Sequence, residues 1–429
     1  MLFCGEYDSI KKNFVEKCGR GKAAFEKEGF SEAAFYAEAE SRRKTAENHG
    51  KGIKKSMKVL LLSCNTGEGH NSAARAIKEQ FDARGIPCTI ENALAFASEK
   101  ISEYVCNTYI KLTLRTPKLF GWGYRVGRDI ASPKRKSPVY FANKMYADAL
   151  GKYVEENGFD TVIMPHVFPA EAMTALRRHG KCNARLYAVS TDYSCCPFFE
   201  ELEVDRYFIP HASLIPEFVD RGIPEEKLCV TGIPVSERFL QKTDKREARE
   251  RLHLPQEGKI ALIMTGSMGF GNTKAIAEEL LECAPDMHLV ILGGNNEQAK
   301  AELRKRFAGQ EQIEIKDFTR EVPLYMDACD VLFTKPGGLT STEAAVKNIP
   351  LIHTAPIPGC ETENADFFSK LGISIAKADV REAAQAAAKL CTQEEERVAM
   401  QERQRREINP HAAQCIFERV MQEAAEAEV

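Results

Sequence analysis

From Met57 onward, short apolar runs alternate with amphipathic stretches of helical periodicity, and the whole alternation restarts once along the chain. The first series reads MKVLLLSC (57–64), a helical stretch at 72–85, CTIENAL, FDTVIMP (159–165), helical AEAMTALRRHG, ARLYAVST (184–191), VDRYFIP and KLCVTGIP. A polar stretch follows at 241–257, QKTDKREARERLHLPQE, which carries a helix and ends near Pro255. The second series then reads KIALIMTG (259–266), a helix at 273–284, MHLVILGG, EQAKAELRKRF, IEIKDF, VPLYMDAC, DVLFTK, STEAAVKN, IPLIHT and ETENADFFSKLG. Apolar runs without polar alternation are strands buried on both faces, and helices between them make the sheets parallel. The expected class is therefore α/β, with two Rossmann-like domains whose parallel sheets face a central cleft. Helical stretches at 380–406 and 411–427 finish the chain. The expected domain bounds are 57–240 and 258–407, joined by a linker at 241–257, with a helix at 408–429 packing back across the domains. Ligands of such sheets bind beyond the carboxyl ends of the strands, so the loops after strands are the places to search.

Charge and length exclude several classes. The net charge of −3 rules out a globally basic nucleic-acid binder. The longest stretch without a charged residue is the fourteen residues 260–273, too short to span a bilayer. The N-terminus has no apolar segment of the secretory kind. Fourteen cysteines without a C-x-x-C pair argue against a zinc ribbon and read as reduced thiols of a cytoplasmic protein. Residues 1–56 hold twelve Lys/Arg and nine Asp/Glu, which suits a charged extension, helical or loosely ordered, better than a domain.

Four loops carry the candidate chemistry. At 65–70, Asn-Thr-Gly-Glu-Gly-His, the glycines Gly67 and Gly69 let backbone amides approach a ligand. His70 stands there as a titratable group at the mouth of the cleft, where a general base works near neutral pH. At 266–272, Gly266, Ser267 and Gly269 repeat the strand–glycine–helix device, whose amides suit a diphosphate. At 334–343, Thr334 ends a strand, Gly337 and Gly338 follow, and Thr340 or Ser341 is the expected helix N-cap. Glu343, in the first turn, can accept hydrogen bonds from ribose hydroxyls. Twenty residues on, Glu361 and Asn364 stand on a Gly/Pro loop, Pro-Ile-Pro-Gly-Cys-Glu-Thr-Glu-Asn, of the composition a sugar-hydroxyl clamp needs. No Asp-x-Asp stands at a strand end, so neither a metal-bridged diphosphate nor a cofactor is expected.

The order KPGG-T-TEA, then PIPG-E-EN-FF, with Gly-x-Gly-His early, Thr191-Asp192-Tyr193 midway and TGIPV before the linker, resembles the monogalactosyldiacylglycerol synthase family, which includes the processive diacylglycerol glucosyltransferases. The resemblance runs from about Met57 to about Ile375. It implies a GT-B fold, an inverting mechanism, UDP-glucose or UDP-galactose bound mainly by the second domain, and diacylglycerol held by the first. Under it His70 is the base, and Gly67, Gly69 and Asp192 lie on the acceptor side. Asp192 orients the acceptor, supports His70 or caps a turn. Gly266, Ser267, Gly269, Phe318, Thr334, Gly337, Gly338, Thr340, Glu343, Glu361 and Asn364 form the donor side. The family commonly has Gln where this chain has Cys360; a thiol lacks the amide's paired donor and acceptor, which leaves glucose and galactose both open.

Between Lys100 and Lys152, eleven Lys/Arg against three Asp/Glu are interleaved with aromatic residues, including the only Trp. Lys111, Arg115, Lys118, Phe120, Trp122 and Arg125 suit a segment that dips among anionic headgroups. The expected place is the cytoplasmic face of the cell membrane, held peripherally. Two readings compete: transfer of N-acetylglucosamine to a polyprenyl-linked acceptor, and a non-catalytic membrane sensor that binds UDP-sugar.

Overall fold

The computed structural model describes residues 57–65, 67–97, 116–133, 135–264 and 272–426, and for Pro117, Lys118 and Phe120 the backbone alone. In chain order the first domain contains β1 (Val59–Ser63), α1 (Glu68–Asp82), β2 (Cys88–Asn92), α2 (Pro117–Ile130), α3 (Pro138–Lys144), α4 (Ala147–Glu156), β3 (Thr161–Met164), α5 (Val167–Arg178), β4 (Arg185–Val189), β5 (Arg206–Ile209), α6 (Ile215–Asp220) and β6 (Leu228–Val230). After α7 (Lys245–Arg251) come β7 (Ile260–Met264), α8 (Thr273–Cys283), β8 (His288–Leu292), α9 (Glu297–Arg306), β9 (Ile313–Lys316), α10 (Val322–Ala328), β10 (Val331–Thr334), α11 (Gly338–Lys347), β11 (Leu351–His353), α12 (Cys360–Lys370), β12 (Ile375–Ala376), α13 (Val380–Thr392), α14 (Glu394–Glu407) and α15 (Ala412–Glu426).

Both sheets are parallel throughout and six-stranded, ordered β2-β1-β3-β4-β5-β6 and β12-β11-β10-β7-β8-β9. Strand order reverses between β1 and β3 in the first sheet and between β7 and β10 in the second. Loops leaving those strands diverge to opposite faces and open a crevice at each switch point. Val59, Leu60, Leu61 and Leu62 are wholly buried, as are Ile260 to Ile263, which is why neither central strand shows polar alternation.

The polar stretch 241–257 is docked on the second domain. The buried Arg249 guanidinium donates to the carbonyls of Ala328 (3.0 Å), Gln256 (2.9 Å) and Gly258 (3.2 Å) and to Asp330 (2.9 Å), all within reach of the second sheet. Past α14 the chain crosses back, where Asn409 donates to the Thr231 carbonyl at 2.8 Å. Gly232 permits the crossing: its φ is +93°, and a Cβ there would lie 3.0 Å from Ala412. Helix α15 then covers the first sheet, with Phe417 edge-on to Phe81 (ring centroids 4.9 Å apart) and Glu423 accepting from Tyr187 (3.0 Å) and Arg206 (2.6 Å).

Three boundaries differ from the sequence expectation. Helix α1 begins at Glu68 and not at 72, so Gly69 and His70 lie in its first turn, with Glu68 favoured there by the helix dipole. Helix α11 begins at Gly338 with Gly337 as its N-cap, and neither Thr340 nor Ser341 caps it. The nearby hydroxyls are otherwise engaged: Thr342 donates to the Gly338 carbonyl at 2.7 Å, and Ser341 lies 2.9 Å from His353 Nε2. The helical stretch at 380–406 is two helices, broken at Gln393, whose extended backbone also caps α14.

Candidate active site between the two sheets

His70 is carried by the first turn of α1, over the β1/β3 switch point. Its Nδ1 lies 2.8 Å from the Pro165 carbonyl, at the end of β3, and 3.0 Å from Thr191 Oγ1, after β4. A carbonyl can only accept, so Nδ1 carries the proton and Nε2 is the basic nitrogen. The ring is edge-on to His166, 4.5 Å away between centroids. Burial pulls the His70 pKa below its ordinary value, against the opposing pull of the Asp192 charge and the Pro165 bond. His166 accepts from Phe168 N–H at 3.1 Å and is pushed well below the usual range by burial and by His70. Both imidazoles are therefore neutral at physiological pH.

The segment Thr191-Asp192-Tyr193 reaches from β4 into the second domain. Tyr193 N–H donates to Asn364 Oδ1 at 2.6 Å, its ring stacks on Phe367 at 4.5 Å, and its hydroxyl lies 2.8 Å from Thr342 Oγ1. Asn364 Nδ2 donates to Asp192 Oδ1 at 2.7 Å and to the Pro336 carbonyl at 3.0 Å. A Cβ on Gly338 would lie 2.0 Å from the Thr191 carbonyl oxygen, so the glycine pair after β10 lets the two domains touch backbone to backbone. Gly69 faces Leu339 across the same seam, with a Cβ there falling 3.8 Å from the leucine. His70 and the N-terminus of α11 thus lie on either side of Thr191, within one contact of each other.

Several sequence-derived donor residues have other work in this arrangement. Asn364 is fully buried; its oxygen and one amide hydrogen are used between the domains, and the other amide hydrogen is given to the Pro336 carbonyl within the second. It staples the two domains here. Glu361 is also buried; one carboxylate oxygen pairs with Lys335 and the other accepts from Ile357 N–H at 2.9 Å. Thr334 is buried at the end of β10, its carbonyl accepting from Thr354 N–H at 3.0 Å. Thr340 and Gly337 are half-buried. Glu343 is half-buried too, and loss of hydration pushes its pKa up to about 7, with Arg238 and Arg75 pulling the other way. Phe318, beyond β9, is exposed. Gly266, Ser267 and Gly269 lie outside the described residues. Gly67 is extended and forms the N-cap of α1.

Helix α2 has two faces of different character. Tyr124 and Arg128 both bond Glu363 of α12, Tyr124 at 3.1 Å, and Arg128 also bonds Glu217 at 3.3 Å. Gly121 and Gly127 sit on this inward face, where a Cβ would lie 2.5 Å from Pro358 and 3.1 Å from Phe198. Leu119, Trp122 and Ile130 are exposed, Trp122 at 58%. Arg125 is exposed as well. Lys111 and Arg115 lie outside the described residues, as do the side chains of Lys118 and Phe120. No helix among the described residues is long and apolar enough to cross a membrane.

Sequence reasoning missed Tyr193 as an interdomain plug, Lys335 as the partner of Glu361, and the Tyr124/Arg128 grip on Glu363. The last had a signal: Tyr124 and Arg128 stand four apart and so share one face of the helix.

Residues 70–235 match the family model for monogalactosyldiacylglycerol (MGDG) synthase, and residues 272–407 match that for glycosyl transferases group 1. The chain is 27% identical over 353 residues to a processive diacylglycerol beta-glucosyltransferase of Staphylococcus carnosus, covering 81% of this chain and 88% of the relative. It is 25% identical over 381 residues to the protein of that name from Bacillus thuringiensis, covering 86% and 94%. Among solved structures, MurG of Acinetobacter baumannii superposes with a TM-score of 0.57 at 15% identity, over 86% of this chain and 99% of MurG. MnaA of S. aureus in complex with UDP gives 0.57 at 14%, over 86% and 97%. The two doubly wound sheets with a cleft between them are the GT-B fold.

Proposed function

We propose that this chain, which belongs to the monogalactosyldiacylglycerol synthase family, moves a hexose from a UDP-sugar to diacylglycerol at an anionic membrane surface, with inversion to a β-glycoside. The observation that supports it most is the His70 imidazole. It is neutral, its proton is held on Nδ1 by the Pro165 carbonyl, and it stands across Thr191 from the N-terminus of α11. Nε2 takes the proton of the acceptor hydroxyl while that oxygen attacks the anomeric carbon and the bond to the diphosphate breaks, its electron pair leaving with UDP. The amides at the start of α11, together with its dipole, offset the charge on the departing UDP. In the closed arrangement Asn364 and Tyr193 hold the two domains together, which keeps water from the donor.

The membrane reading rests on α2, whose outward face carries Leu119, Trp122 and Ile130 within a stretch of net basic charge. The place proposed for the chain is the cytoplasmic face of the cell membrane. The sugar is glucose or galactose.

The test is UDP release from UDP-glucose and UDP-galactose in separate reactions, with and without diacylglycerol in phosphatidylglycerol vesicles. Release that requires diacylglycerol and yields a glycolipid establishes the reaction and names the sugar. UDP binding without release from either donor overturns it in favour of the sensor.

A further inference from the structure

Helix α3 is held to the first domain at both ends by carboxylates that are wholly buried. At its start, Glu201, in the turn at 199–201 between β4 and β5, accepts from Ser137 N–H at 3.0 Å. The Ser137 hydroxyl in turn caps the helix by accepting from Tyr140 N–H at 3.1 Å. At its end, Glu171 of α5 accepts from Asn143 Nδ2 at 2.8 Å, and Tyr146 donates to the Asn143 side-chain oxygen at 2.9 Å. The other oxygen of each carboxylate, Glu171 Oε1 and Glu201 Oε1, has no hydrogen-bond partner among the described residues. We propose that Glu171 is a neutral carboxylic acid in the folded protein, and that its proton makes a clamp on α3 that weakens as the pH rises. The inference is independent of the reaction proposed above.

Two ionised carboxylates at these positions would set like charges against each other away from water, each with an oxygen that no donor meets. A proton on one of them removes the repulsion and turns an acceptor-only group into a donor. Glu171 is the one that holds it. Burial pushes its pKa up to about 8, against the Asn143 bond, with the Glu201 charge adding to the rise and Arg178 and Lys136 opposing it. Burial raises Glu201 too, but its bonds from Ser137 favour the charged form. The nearby cations do not take the proton's place. Arg178 bonds Glu203 and the Glu201 main-chain carbonyl (2.8 Å), and its guanidinium, like the Lys136 ammonium, lies 5.3 Å from the centre of the Tyr140 ring. Glu200, beside Glu201, is paired with Arg221. Tyr146, which also faces Glu171, is pushed up by burial and stays neutral.

The direction of the effect follows from the two states. Lifting α3 away exposes Glu171 to water, where its carboxyl ionises near the ordinary 4.5. Between that value and about 8 the docked state keeps a proton that the lifted state releases. Across this window lifting becomes easier by up to about tenfold per pH unit. Above it the docked state has lost the proton as well, and the dependence ends. The helix carries more than its own contacts. Opposite the buried Tyr140 and Asn143, Phe141 and Met145 are 57% and 82% exposed, with the exposed Lys144 beside them. One buried proton therefore sets how firmly the first domain holds this apolar and basic edge in place.

Hydrogen exchange of the full-length protein, read by mass spectrometry on peptides covering α3 at pH 6 and pH 8, tests the clamp once rates are corrected for the intrinsic pH dependence of exchange. We expect the protection of α3 to fall about tenfold or more between the two pH values in the wild type. Glu171→Gln keeps an oxygen for Asn143 and has an amide that donates as the acid does, so its protection should stay within about twofold. Glu171→Leu has nothing to titrate and no acceptor for Asn143. Its protection should be lower at both pH values yet equally flat, so the pH dependence is read even where the helix is weakened. A wild-type protection that does not change, or a fall that persists in either variant, overturns the proposal. So does a fall of the same size in α8 and α13, which would show the whole chain responding to pH in place of α3.

Discussion

The carboxamide of Asn364, in the second domain, donates to the carboxylate of Asp192, in the first, at 2.7 Å, and the same side chain accepts from the next backbone amide, Tyr193 N–H, at 2.6 Å. Asn364 is wholly buried and Asp192 half-buried, so the pair works in a medium where an unmet polar group is costly. Replacing Asn364 with Ala leaves the Tyr193 amide and the Asp192 carboxylate without this partner at the seam. Each orphaned group costs roughly 1–3 kcal/mol in the closed state. Asn364→Ala should thus slow turnover by favouring open domains. Differential scanning calorimetry and steady-state UDP release read the two effects, and an unchanged rate would show that the staple plays no part in closure.

The pH profile follows from His70. Because burial lowers its pKa, the neutral base persists at pH values below the ordinary 6.5, and the acid limb of log kcat/KM should lie below that pH. The Asp192 charge raises the His70 pKa, so Asp192→Asn, which keeps a carbonyl to face Asn364, should move the limb to still lower pH. His70→Ala should lose the roughly 10²–10⁴-fold that a positioned base contributes, with UDP affinity retained. A limb above pH 6.5 in the wild type, or one that does not move in Asp192→Asn, would remove His70 from the role.

Much of this was legible because it is written locally. Uninterrupted apolar runs such as VLLLS and IALIM announce strands buried on both faces, and glycine pairs between strand and helix mark the loops where ligands sit. What could not be read was where each loop's side chains are spent. Asn364 and Glu361 look like sugar ligands in a Gly/Pro loop, yet Asp192 and Lys335, 172 and 26 residues away, take them up. The first pairing arises only when the two domains meet, the second only when the loops after β10 and β11 come together within the second domain. The hydroxyls of Thr340 and Ser341 likewise fit a capping pattern, but Gly337 is already extended and starts the helix earlier. In the basic-aromatic segment, charge and aromaticity pointed outward, while Tyr124 and Arg128, four apart on one helical face, turn inward to Glu363.

That outward face yields a prediction with little structural cost. Leu119 and Trp122 are 53% and 58% exposed, so Leu119→Ser with Trp122→Ala removes little buried contact and should leave the melting temperature nearly unchanged. Cosedimentation with phosphatidylglycerol vesicles should weaken several-fold, and neutral phosphatidylcholine vesicles should bind the wild type more weakly because the flanking Lys and Arg find no anionic partner. Undiminished binding by the double variant would place the membrane contact elsewhere.

Gly338 provides the sharpest steric test. Its hydrogen faces the Thr191 carbonyl oxygen so closely that a methyl group would sit 2.0 Å away, against backbone that a side-chain rotation cannot move. The residue is the first of α11, where alanine is a better helix former than glycine by about 1 kcal/mol, so Gly338→Ala should not harm the second domain itself. The added carbon instead wedges the domains apart at the point where His70 faces the donor side. Turnover should fall at least tenfold, since a displacement of about 1 Å at the reacting centre costs about that or more. Small-angle scattering should show a larger radius of gyration, while UDP still binds the second domain. If Gly338→Ala keeps full activity and the wild-type radius, the contact between Thr191 and α11 is not part of the reactive state.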